Sequence, residues 1–558
     1  MRAPRKPSLL LCALLAAASS HAQAPAGEAA RLQQAGTAFR AGHAAFLRND
    51  LPTAHSEFAK AVRLAPKIAP AHSALGAVLL AEGNPAAAVP ELRTALTLDP
   101  GHADEGTVLN FAAALAATGD TPAAQQQIEL ALRKTPNSAP LHDALGTLLA
   151  QQNRLDQAAA EFQRAITLDS TLAAAHFHLG SVFLHQRNPT AAVAELAQAH
   201  TLAAEDPAYA LQLGRALSAA NRDQEAIATL RSAVTLDPSS LDAKYELALA
   251  LQASGDPKSA LPLFEQVTLA RPQNDAALTN HALALVQTGD AQTAIPLYLR
   301  ALKINASSPT LREDLGVAYL QQSDLDHAIE QFRAGLTLEP GNPQLHYDVA
   351  LAFKLKDDVA AAIPEFEEAA RLDPQLPDPP YTLGVLYMQL GRFPESREQL
   401  ERATTLRPGN GDAWAILGNV YKQTDQPDQA SAALRKAIAL LPDQPSPHIT
   451  LAAILAQQGD TAAAARERKI AADLSRIAVS RQRASFALDS GRLLLKRGQI
   501  PEAIEQLQTA IAAAPDSPDP HLALAEALDR QGHSAEAAAE RLIARQKAEQ
   551  PPPAAPRP

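Results

Sequence analysis

One cysteine, one tryptophan and two methionines are all that this chain of 558 residues holds of those types, and aromatics make up only 4%. The cysteine, Cys12, falls in a short apolar run near the start, so the rest of the chain has no thiol. Disulfides and cysteine-held metals are thereby excluded from it. Few aromatics set against 47% hydrophobic residues mean that alanine and leucine supply the apolar surface. Such surface suits thin, closely spaced helices better than one thick core. Long hydrophobic runs are missing too: "LLLCALLAAA" at 9–18 is too short to span a bilayer, and no later segment is longer. Positive charge is the scarcer sign, with a formal net charge of -11. That field repels phosphates and speaks against nucleic acid as a partner.

The first residues form a separate segment. Arg2, Arg5 and Lys6 precede the apolar run, and "SHA" at 20–22 offers small residues for cleavage. The pattern is that of a secretory signal peptide, 1–22, cut after Ala22. Cutting after Ala24 is disfavoured because Pro25 would follow. The expectation is a periplasmic or secreted mature protein with no transmembrane segment, beginning with a short linker at 23–34.

What the chain has in abundance is repetition. "HFHLGSVFLHQRNPTAAVAELAQAHTL" (176–202), "REDLGVAYLQQSDLDHAIEQFRAGLTLEP" (312–340) and "WAILGNVYKQTDQPDQASAALRKAIALLP" (414–442) share one frame of 34 residues. Fifteen units follow that frame, thirteen across 35–478 and two across 484–551, with a proline-rich tail at 552–558. The eighth place of every unit is Gly or Ala, for example Gly180, Gly316 and Ala452. The twentieth is alanine in every unit but one, which has Ser396, and the twenty-seventh is alanine save for Val267 and Gly335. Mere alanine richness does not keep such register. Apolar residues at the fourth, seventh, eighth and eleventh places recur at helical spacing. Elements such as "GD", "QPD" and "NP" end a first helix and cap a second. A hairpin of this kind leaves one apolar side uncovered, so the units must stack.

The unit resembles the tetratricopeptide repeat family, as Trp414, Leu417, Gly418, Tyr421, Ala430, Ala437 and Pro442 illustrate. The resemblance spans about 35–551. It implies an all-α, right-handed superhelical solenoid whose concave wall, built from first helices, binds proteins or peptides. Within that frame the second, fifth, sixth, ninth, twelfth and thirteenth places face the groove. Candidate groove residues are Tyr245, Tyr347 and Tyr381 at fifth places, with Lys354, Met388, Asn419 and Lys422 on the same face. Exported arrays of this kind also suggest a scaffold in envelope polysaccharide export or outer-membrane assembly.

The sixteen histidines invite a metal site, but the frame offers a plainer reading. His72, His142, His176, His346, His448 and His521 all occupy the fourth place, where the family often has tryptophan. Packing rings are expected there, without a metal or other cofactor. No G-x-S-x-G, H-E-x-x-H or phosphate-cradling G-x-x-x-x-G-K pattern occurs, so no enzyme is expected. From 105 onward the frame slips once. Five extra residues, 479–483, interrupt a stretch with no Gly or Pro from 461 through 490. The basic segment 466–497 around them suggests either a long helix with solvated arginines or a docking surface for an acidic partner. Its candidates are Arg466, Arg468, Lys469, Arg476, Arg481 and Arg483.

Overall fold

The computed structural model describes residues 26–100 and 104–549. The expected signal peptide and the proline-rich tail lie outside the described residues. Within them the chain forms helices throughout, in sequential antiparallel hairpins such as Ala69–Ala81 with Pro85–Leu98 and Pro343–Leu355 with Val359–Leu372. The contacts divide the chain into two compact units, before and after Asp290–Ala291. In each, the second helix of a hairpin packs on the first helix of the next, giving an all-α solenoid.

Each hairpin turn follows from local chemistry. Its tight bend requires a left-handed residue, supplied by glycine at Gly119 (φ 90°) but by Asn49 (φ 60°) and Asp357 (φ 63°) elsewhere. The next residue caps the second helix: the Asp50, Asp120 and Asp358 side chains accept the amides of Thr53, Ala123 and Ala361. The eighth place shows why it must be small. A Cβ built on Gly316 would lie 2.4 Å from the Phe332 ring, and one on Gly214 equally close to Leu230. Ser396, the exception at the twentieth place, donates its hydroxyl to the Gly384 carbonyl at 2.6 Å.

The fourth-place histidines do more than fill space. Their Nδ1 atoms meet glutamates nineteen residues on, as in His72–Glu91, His176–Glu195 and His346–Glu365, each at 2.6 Å. In His72, His142, His176 and His346 the Nε2 atom also faces a backbone carbonyl six residues back, at 3.0–3.1 Å. Both neighbours are acceptors, so the clasp is complete when both ring nitrogens carry a proton. Trp414 makes the equivalent bond from Nε1 to the Pro408 carbonyl at 2.9 Å. The ring therefore ties the two helices of a hairpin to the linker before it.

One stretch differs from the expected segmentation. The linker expected at 23–34 is helical from Ala26, as part of the 22-residue helix Ala26–Leu47. Its sequence, rich in Ala, Glu, Gln and Arg, consists of good helix formers. At the frame slip the structure gives the long helix that the absence of Gly and Pro suggested. There Thr461–Lys496 runs as one helix of 36 residues, so a second helix and the following first helix are fused.

Candidate functional site

Stacked first helices bring the fifth place of one hairpin against the sixth place of the next. Two such rungs in the residues before Asp290 pair a donor with an acceptor. His178 Nδ1 meets Asp143 Oδ1 at 2.7 Å, and Asn280 Nδ2 donates to the Tyr245 hydroxyl at 2.8 Å. Tyr245 is half-buried and packs edge-on against Phe264, with 6.1 Å between centroids. Burial raises its pKa, partly offset by the Asn280 bond.

One such rung in the residues after Ala291 is made of two acids, Glu313 at a fifth place and Asp348 at the next sixth. Asp348 is 7% exposed and takes one hydrogen bond, from Gln344 Nε2 of its own helix at 3.0 Å. Burial, and then the Glu313 charge, pushes its pKa up to about 7. Asp314 is pushed up to about 6 by the same two causes, and Glu313 is raised by burial and Glu339. Nearby, the fully buried Tyr298 hydroxyl has no hydrogen-bond partner, and its pKa is raised by burial and by Asp314. Of these carboxyls Asp348 is the one raised into the neutral range.

The expected groove tyrosines flank that rung in sequence. Tyr347, adjacent to Asp348, is half-buried with its ring edge-on to Phe366 at 5.4 Å. Its pKa is raised by burial and then by Asp378, with a hydrogen bond to Thr382 opposing them. Tyr381 and Met388 are half-buried against an apolar cluster that includes Leu400 and Leu417. Burial and then Asp412 raise the Tyr381 pKa. Lys354 and Lys422 are exposed, and Asn419 is half-buried. In the basic segment, Arg476 pairs with Asp473 at 2.9 Å and Arg481 with Asp443 at 3.4 Å. Arg466, Arg468, Lys469 and Arg483 are exposed.

Glu313, Asp314 and Asp348 are not among the residues expected from the sequence. Their signal was present in the repeat frame, since acids fill both sides of a rung that pairs unlike groups at Asp143–His178 and Tyr245–Asn280. His176 and His178, two residues apart, go to separate carboxylates, Glu195 and Asp143. Among the described residues no group of three His, Cys, Asp or Glu side chains is arranged to hold a metal ion. No helix among them is long and apolar enough to cross a membrane.

Fold and rung geometry together define a helical-hairpin repeat protein, a scaffold class that presents side chains on stacked helices. Sequence comparison gives the family. Matches described as "Tetratricopeptide repeat" cover residues 39–103, 79–148, 208–240, 245–309, 313–377, 355–420, 411–444 and 445–467. Those described as "TPR repeat" cover 146–186 and 491–532. The chain belongs to the tetratricopeptide repeat family. No matched range includes 468–490, the middle of the fused helix. A search of curated proteins returned no match.

Among solved structures, the chain is similar to the "APC/C hetero-tetramer Cut9-Hcn1" at 13% identity and TM-score 0.36, over 89% of this chain and 96% of that one. It is similar to MamA, "MamA AMB-1 P212121", at 26% identity and TM-score 0.29, over 30% of this chain and 99% of that one. A human protein, in "Human IFIT1 dimer with m7Gppp-AAAA", matches at 15% identity and TM-score 0.34, over 66% of this chain and 90% of that one. At these values the likenesses carry no function across.

Proposed function

We propose that this protein is an exported, non-catalytic scaffold that holds an extended segment of a partner protein along its first helices. A lysine or arginine of that segment sits on the Glu313–Asp348 rung, with Tyr347 and Tyr381 supplying flat contact surface. The observation that carries this reading is the unmatched acid pair, since Asp348 is buried beside Glu313 with no cation to balance it. An incoming cation favours the ionised carboxyls and lowers their pKa values, so binding releases protons and strengthens as pH rises through about 7. Tyrosine adds a large rigid face at low entropy cost. Peptides laid along such helices are a recurrent mode of recognition.

Capture from an envelope extract, analysed for both protein and glycan, tests the reading. Tyr347→Ala with Tyr381→Ala should weaken capture of protein by at least roughly 2 kcal/mol while the circular dichroism stays helical. Undiminished capture by the folded double variant would put the binding face elsewhere. Glycan in place of protein in the captured material would favour a role in envelope polysaccharide export. Export itself is tested by N-terminal sequencing, with Gln23 expected as the first residue.

A further inference from the structure

The fused helix Thr461–Lys496 leaves two stacking faces open on one side. In every unit that follows another hairpin, the third and tenth places are buried, as with Ala175 and Val182 or Leu345 and Ala352. In the unit beginning at 484 they are Phe486 and Leu493, exposed by 76% and 48%. The twenty-first and twenty-eighth places are likewise covered wherever another hairpin follows, as with Val193 and His200. In the unit beginning at 445 they are Ala465 and Ala472, both exposed. The cause is geometric, because a second helix cannot pack against a first helix with which it is continuous. Val479, 65% exposed, lies in the join.

These five residues, Ala465, Ala472, Val479, Phe486 and Leu493, are spaced seven apart. They form a stripe about 42 Å long at 1.5 Å per residue. Apolar residues every seven positions supply one of the two core positions of a coiled-coil heptad, a line along which a partner helix can lie. Phe486 and Val479 also border a shallow hollow of about 500 Å³, together with Gln482, Arg483, Ser485 and Asp489. The remaining open faces of the array contrast with this one. The first hairpin exposes Thr37 and Ala44 at its third and tenth places, and the last exposes Ala538 and Arg545 at its twenty-first and twenty-eighth. Those ends are small or polar, as the outer faces of terminal repeats must be. At these stacking places among the described residues, large apolar side chains reach solvent at the internal break, as Phe486 and Leu493.

Charge identifies the occupant. Arg466, Arg468, Lys469, Arg483 and Arg492 are exposed along the helix, and Glu467 is already bound to His448. A second copy of this helix would set these cations against one another in either direction. We infer that the stripe is the docking site for an acidic amphipathic helix of a partner protein, with an apolar seven-residue repeat and flanking glutamates or aspartates. This surface is separate from the tyrosine-lined groove, and its test does not depend on the groove.

The probes are two fluorescently labelled synthetic helices of about four heptads with leucine in the core positions. One carries glutamate at the flanking positions and the other lysine. Anisotropy with the full chain should show the glutamate helix binding at least about tenfold tighter than the lysine helix, and weakening with salt. Val479→Glu with Phe486→Glu should weaken the glutamate helix by at least about tenfold. Both residues are exposed, so the helical circular dichroism should persist. Arg483→Glu with Arg492→Glu, which keeps the stripe, should narrow or reverse the preference between the probes. Tyr347→Ala with Tyr381→Ala should leave probe binding unchanged. Equal binding of the two probes, binding of neither, or indifference to the stripe variants overturns the inference. So does a concentration-dependent dimer in sedimentation that Phe486→Glu abolishes, because the occupant would then be a second copy.

Discussion

Leu345 and Phe486 hold the same place in their repeat units, yet one is fully buried and the other is 76% exposed. Leu345 lies where Gly335 of the preceding second helix approaches: a Cβ built on Gly335 would be 3.0 Å from it. Phe486 has no such neighbour, because its preceding second helix is the same helix. Burial in this protein is thus set by the adjoining hairpin, not by how apolar a residue is. A single five-residue insertion removes one whole stacking interface without removing any apolar residue that would line it.

Substitutions at the two sites should differ most. Leu345→Ala removes side-chain volume from a filled interface and should cost about 2–5 kcal/mol in denaturant unfolding. A cost no larger than that of a surface change would contradict the stacking account. Gly316→Leu, in the hairpin just before, forces a side chain into the Phe332 ring and should cost on the order of 1–3 kcal/mol. Hydrogen exchange should show lost protection confined to that hairpin and its neighbours. Uniform loss along the residues after Ala291 would argue for a cooperative block instead.

The acid rung provides a pH-dependent version of the comparison, since its pairing fails by charge and not by packing. The Asp348 pKa of about 7 lies above its ordinary value of 3.8. The folded state therefore holds a proton that the unfolded state has lost. Stability from this group is fully present below pH ~4 and is lost as pH rises through about 7. Asp348→Asn should gain on the order of 1–2 kcal/mol at pH ~8 and almost nothing at pH ~4. A thermal melt at the two pH values checks this, and an equal gain at both would remove the electrostatic account. The smallest effect is expected at Phe486→Ala, within about 0.5 kcal/mol of wild type, since the ring covers nothing in this chain. A large loss there would mean that the exposed stripe is already packed within the protein.

Much of the array was legible because helical packing repeats its demands every 34 residues. Gly or Ala at the eighth place and alanine at the twentieth announce close helix approach, and the contacts of Gly316 and Gly384 show it. The fourth-place histidines were readable as packing rings, but their glutamate partners nineteen residues on went unread, although the pairing recurs in the sequence. The groove tyrosines could be assigned to a face, whereas the state of Asp348 could not. Its pKa depends on how completely neighbouring helices exclude water, and no spacing rule reports that.

By itself the sequence determined the hairpin unit, its caps and turns, the number of units and the point where the frame slips. These depend on local backbone preference and on periodicity, which are written residue by residue. The tertiary structure alone decided which equivalent places end up covered. Two acids became one rung, and five apolar side chains on a continuous helix were left facing water. Desolvation and stacking are properties of the neighbour that arrives, and the neighbours of Asp348 and Phe486 are fixed only when the hairpins close on one another.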